Sequence, residues 1–117
     1  MTIKRMLTEF GFGTSIRSQD YTGAAIRGLK DALWRNSISI AEPLGFEKKQ
    51  MLIDVEIAVQ KPNSVKVDEL ANIIPYGHST FKVVNGGLDI LNPSTNAITV
   101  VANVAVIISF DLEKVHA

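Results

Sequence analysis

The apolar pattern predicts an α+β protein of element order β-α-β-α-β-β, a mixed sheet with helices on one face. Three observations carry that expectation. Residues 97–110 (AITVVANVAVIISF) are almost wholly apolar and rich in Val and Ile. Residues 51–60 alternate strictly, with Ile53, Val55, Ile57 and Val59 set against Asp54, Glu56 and Gln60. Residues 21–36 carry one apolar stripe of Ala24, Ala25, Leu29, Ala32 and Leu33 at helical spacing, with Arg27, Lys30 and Asp31 elsewhere.

The remaining elements follow in order. Residues 3–10 read as a first strand through Ile3, Leu7 and Phe10. The segment 11–20 (GFGTSIRSQD) joins that strand to the helix, and Asp20 is placed to cap it. Residues 37–50 contain Pro43 and Gly45 and read as a loop. After the alternating strand, a turn at Pro62-Asn63-Ser64 leads to a short helix over 67–73, stopped by Pro75 and Gly77. A strand over 79–84 reaches a bend at Asn85-Gly86-Gly87 and continues as LDIL. The chain then turns through 92–96 into the long apolar strand. No repeat, low-complexity tract or linker interrupts it, and 117 residues suit one domain.

Composition narrows the function classes. Twelve basic and twelve acidic residues cancel, so no basic face marks a nucleic-acid reader. The chain has no cysteine, which removes disulfides and thiolate metal sites. MTIKRMLTEF lacks the apolar region and cleavage site of a signal peptide, and a cytoplasmic protein is expected. The 97–110 run is shorter than the about twenty residues of a membrane helix and is broken by Asn103. It reads instead as a strand buried on both faces. So small a domain covers one face with its own helices; the other needs a second subunit. A homo-oligomer, a trimer or a multiple of it, is therefore expected, with no membrane partner.

Candidate site residues concentrate at 11–20. Gly11 and Gly13 offer open backbone, Thr14 and Ser15 hydroxyls, Arg17 a fixed positive charge and Asp20 a carboxylate before a helix N-terminus. Together they suit an anion or a carbonyl oxygen. A tight strand-to-helix turn with purely geometric glycines explains the same residues. Within Pro75-Tyr76-Gly77-His78-Ser79, His78 is of the residue type suited to a general base and Ser79 offers a hydroxyl, or the segment is a surface corner. Asn85 beside two glycines presents an amide, or sits in a bulge without chemistry. Asp54 and Glu56 share a strand face, as a metal-binding pair or as a solvated row. Tyr21 and Trp34 read as packing or interface anchors. His78 and His116 are far apart and no HExxH is present, so neither metal nor cofactor is expected.

At the same stretch the chain resembles a small uncharacterised bacterial family with a GxGxDxHG signature, here degenerate as Gly11-Phe12-Gly13-Thr14-Ser15-Ile16-Arg17-Ser18. Gln19, Asp20, Thr22, Ala24, Ala25, Arg27, Pro75-Tyr76-Gly77, Gly86-Gly87 and 102–106 also fit that family's pattern. Ser15, Arg17 and Ser18 stand where the family has aspartate, histidine and glycine. An acid has become a hydroxyl and a base a permanent cation, which suits anion or carbonyl binding better than metal chemistry. The family's fold is similar to one repeat of the ring-opening amidohydrolases, cyanuric acid hydrolase and barbiturase, and to the chorismate-mutase-like and YjgF-like trimers whose sheets close around an axis. The leading expectation from the residues is a small-molecule site between subunits, built from Gly11 to Arg17 with His78, Ser79 and Asn85. As an enzyme the protein would hydrolyse or deaminate a small amide, imide or imine. Arg17 and backbone N–H groups would polarise the carbonyl, with His78 or a water moving the proton. The alternatives are a non-catalytic binding or regulatory subunit, a divergent paralogue that assembles with a signature-bearing partner, or a purely structural assembly protein.

Overall fold

The long apolar segment forms β5 (Ile98–Asp111), the spine of a five-stranded mixed sheet. A computed structural model describes residues 2–35, 48–74 and 77–113. Strand β1 (Ile3–Ser15) lies antiparallel along one side of β5. On the other side β2 (Leu52–Val59) pairs antiparallel with residues 103–109, and β3 (His78–Asn85) adds to β2 in parallel. Helices α1 (Tyr21–Arg35) and α2 (Val67–Ala71) supply the crossovers β1-to-β2 and β2-to-β3. The short turns Lys48–Gln50 and Pro62–Ser64 complete the described chain. The expected α+β class, with a mixed sheet, is the one observed.

β5 alternates cleanly. Val100, Ala102, Val104, Val106, Ile108 and Phe110 are at most 2 % exposed beneath α1, alongside Ile53, Val55, Ile57 and Val59 of β2. The odd-numbered residues face away from the helices: Val101, Ala105 and Ile107 are half-buried and Asn103 is exposed. The sequence reading assigns the burial of this second face to another subunit; within one chain Ser109 and Asp111, at the end of β5, are its buried residues on that strand. Among the described residues no α-helix covers that face.

Two boundaries depart from expectation for identifiable reasons. β1 does not end at Phe10; it runs on to Ser15, because β5 offers partners as far as Val100. Gly11 and Gly13 thus lie inside a strand, against the helix. A Cβ at Gly11 would meet Ala32 N and Gly28 O at 2.5 Å; at Gly13 it would meet Ala24 O at 2.1 Å and Gly28 N at 2.3 Å. A Cβ at Gly28 would in turn press on Val104 Cγ2 at 2.7 Å. The three glycines and the small Ala24 and Ala32 let α1 sit directly on the strand.

LDIL does not prolong β3. It forms a separate strand, β4 (Leu88–Leu91), paired antiparallel with β5 beyond the end of β2. The chain crosses the end of β2 through Gly86 and Gly87, the latter at φ 65°. A Cβ at Gly87 would lie 2.2 Å from Val101 O, so only glycine makes the step. Elsewhere the expected bounds shift by a residue or two, as at α2, which ends at Ala71. The loop expected over 37–50 lies outside the described residues except for the turn at its end, as do Pro75, Tyr76 and His116.

Asp20 caps α1 as expected: its Oδ1 accepts the Gly23 N–H at 2.9 Å and its carbonyl the Ala24 N–H at 3.0 Å. The close helix–strand contact yields a direct test. Gly13→Ala forces a methyl into helix backbone and should cost about 3 kcal/mol of stability. The urea midpoint falls at unchanged slope if the native fold survives.

Candidate functional site

Past Ser15 the chain turns through 16–20 to reach α1, with Gln19 in the left-handed region at φ 49°. Ser15 is buried, and its Oγ accepts the Asp20 N–H at 3.1 Å and lies 3.2 Å from Ser18 Oγ. Arg27, about two α1 turns beyond the cap, donates from Nη1 to the Thr14 carbonyl at 2.6 Å. Arg17 is exposed and has no hydrogen bond or ion pair among the described residues. A cleft of about 360 Å³ opens there, lined by Thr14, Ser15, Ile16, Arg17, Ser18 and Arg27. Two guanidinium groups and a serine hydroxyl on one rim suit a carboxylate or a polarised carbonyl.

The sequence-predicted residues divide sharply. Thr14, Ser15, Arg17 and Asp20 gather at this corner. Gly11 and Gly13 do not contribute open backbone, since α1 occupies the space a side chain would take. Thr14 offers its carbonyl to Arg27, and the Ser15 hydroxyl and Asp20 carboxylate close the turn. Asn85 lies three strands across the sheet; its Nδ2 donates to the Gln60 carbonyl at 3.2 Å, while Gln60 Nε2 holds the Gly86 and Gly87 carbonyls. Its amide thus serves the crossover. Asp54 accepts from Thr80 Oγ1 at 2.5 Å, and Glu56 stands 4.0 Å from Lys82 Nζ, a cross-strand row on the open face. No cluster of three metal-ligating side chains occurs among the described residues.

His78 and Ser79 lie at the far end. Leu52 aligns with both His78 and Ser109, whereas Ser15 aligns with Val100. The nine residue steps of β5 from Val100 to Ser109 span about 30 Å. As consecutive residues of β3, His78 and Ser79 also point to opposite faces of the sheet. One chain therefore does not bring Arg17, His78 and Ser79 into one catalytic group.

Sequence reasoning missed a buried polar contact beside the corner. Tyr21 is 4 % exposed; its hydroxyl donates to Asp89 Oδ2 and receives a 3.3 Å hydrogen bond from Gln19 Nε2. Asp89 Oδ1 is buried without a partner among the described residues. Burial first, then the hydrogen bond to Asp89, raises the Tyr21 pKa above its usual 10.0. The available signal was parity: pairing with Val100 turns Asp89 of LDIL toward the helix layer. That pairing is not visible in LDIL itself.

Fold and site together define a helix-backed, one-sided sheet with a cationic corner. The family described as "Conserved hypothetical protein (Lin0512_fam)" matches residues 5–108, and the chain belongs to that family. Among solved structures it is similar to a FtsZ-like protein of unknown function from Nostoc punctiforme. The two share 28% identity over 95% of this chain and 98% of that one, with a TM-score of 0.85. No curated protein matches the chain. No helix among the described residues is long and apolar enough to cross a membrane.

The Tyr21 shift fixes a pH dependence. With the folded pKa above the unfolded one, the native state holds the phenolic proton more tightly. That stabilisation is complete below about pH 10 and is lost as pH rises through the folded pKa. In urea melts between pH 8 and pH 11, wild type should therefore lose more stability above about pH 10 than Tyr21→Phe. Parallel curves would show that the contact does not hold the proton.

Proposed function

We propose that the chain self-assembles through the open face of its sheet and binds a small carboxylate- or carbonyl-bearing molecule at the Arg17–Arg27 cleft, without turning it over. The observation that carries this reading is the apolar exposure of that face. Phe10 is 69% exposed and Phe12 56%, and register places them beside Ala105 and Asn103. Leu88 at 57% and Ile90 at 51% continue the patch on β4. Left in water, each such side chain forfeits about 1 kcal/mol or more. The shape agrees: a plate of 60 × 24 × 20 Å, whose radius of gyration of 16.0 Å exceeds the about 13 Å of a compact domain this size. The assembly proposed is a trimer, the form that the likeness to the chorismate-mutase-like folds implies.

The non-catalytic form is favoured by the separation of Arg17 from His78 and by the divergent faces of His78 and Ser79. Hydrolysis of a cyclic amide or imide, as the likeness to the ring-opening amidohydrolases implies, requires a neighbour's His78 at the Arg17 corner. A cytoplasmic location and a signature-bearing paralogue as alternative partner remain part of the same proposal.

Light scattering tests assembly. Wild type should run at a multiple of 12.8 kDa at micromolar concentration, and Phe10→Asp/Phe12→Asp should run as a single chain with unchanged helix content. A wild-type mass of one chain overturns the assembly. Binding is tested by a thermal-shift panel of small carboxylates, cyclic amides and imides. A hit should weaken about tenfold or more on Arg17→Ala, the value of one charge-assisted contact. A hit indifferent to Arg17 places the ligand elsewhere.

A further inference from the structure

Asn103 is a lone amide in the middle of the apolar patch on the open face. Register sets Phe12 beside it on β1 and Ala58 beside it on β2, and Val101 and Ala105 flank it along β5. All four side chains share its face of the sheet, so its nearest neighbours there are apolar. Asn103 is exposed, and its side chain makes no hydrogen bond among the described residues. The polar groups toward β3 differ, since Asp54 accepts from Thr80 Oγ1 and Glu56 faces Lys82.

We infer that Asn103 marks the axis of the assembly, where its amide pairs with the Asn103 amides of neighbouring copies related by rotation about a line parallel to β5. That pairing rests on the self-assembly proposed above and specifies its register. When the surrounding patch loses water the amide loses its water partners too, and leaving it unpaired is costly. The covering surface must therefore present a donor and an acceptor in the middle of an apolar field. A second copy of this chain does so, because an amide carries both functions and satisfies its own kind.

The shape of the face is complementary to itself in the same way. On the β1 side Phe12 stands out, 56% exposed. Toward β2 and β3 lies a groove of about 310 Å³ whose lining includes Phe10, Ala58, Val84 and Ala105. Rotation about a line parallel to β5 carries the β1 side of one copy onto the β2–β3 side of the next. Phe12 then meets that groove, while Asn103, on β5 itself, meets Asn103. A single buried asparagine of this kind fixes one register at a cost in stability, as it does in coiled coils.

The chain has no cysteine, so Asn103→Cys carries a single thiol. Under mild oxidation the full-length variant should cross-link into a pair of chains that a reductant separates, because residues on the axis lie within disulfide reach. Thr80→Cys, on the same face but on β3, should cross-link far more slowly. Asn103→Asp sets like charges against one another and should weaken assembly about tenfold or more in a light-scattering dilution series, with helix content unchanged. Equal cross-linking of the two cysteine variants overturns the axis and leaves self-assembly standing, as does an Asn103→Asp protein that assembles like wild type. A wild type with the mass of one chain overturns both. Should Asn103→Asp lose helix content, the cross-linking comparison decides.

Discussion

The contact of α1 with β1 at Gly11, Gly13 and Gly28 is the constraint on which the molecule depends. Helix backbone lies where side chains would otherwise stand, at distances no Cβ tolerates. That proximity buries Ala24, Ala25, Leu29 and Ala32 directly on β5 and fixes which face of the sheet receives the helices. Because the helix must start close to the strand it has just left, residues 16–20 fold into a tight corner, tied by Ser15, Ser18 and Asp20. The cleft with Arg17 and Arg27 is a by-product of that packing.

A one-sided sheet has a second consequence. Every helix that the described residues supply lies over the even-numbered side of β5, so Phe10, Phe12, Leu88 and Ile90 are left on the other. The polar row of Asp54, Thr80, Glu56 and Lys82 shares that face but sits toward β3. The face is thus apolar near β1 and β4 and charged near the β3 edge. An apolar patch with a polar flank is the pattern of a surface that meets another protein surface.

Glycine carries two meanings in this chain. At Gly11 and Gly13 its value is the absence of volume, with the backbone extended and paired. At Gly87 its value is positive φ, which lets the chain step over the end of β2 to found β4. A glycine pair near a helix N-terminus resembles a ligand cradle in sequence because both uses favour the same residue. Only the identity of the neighbour, Ala24 carbonyl rather than solvent, distinguishes them.

What the sequence determined by itself was everything governed by local periodicity. The alternation of Ile53 to Val59, the stripe of α1, its Asp20 cap and the β character of 97–110 all reappear within a residue or two, because each is set by neighbours along the chain. Tertiary structure decided what periodicity cannot express. Strand register carried β1 to Ser15 and gave LDIL to β5, and helix docking closed the space at Gly13. Register also put Asp89 beneath Tyr21 and set His78 with Asp111 at the end remote from Arg17. These pairings join residues dozens of positions apart, and their energies reside in contacts that form only when the sheet and its helix layer come together.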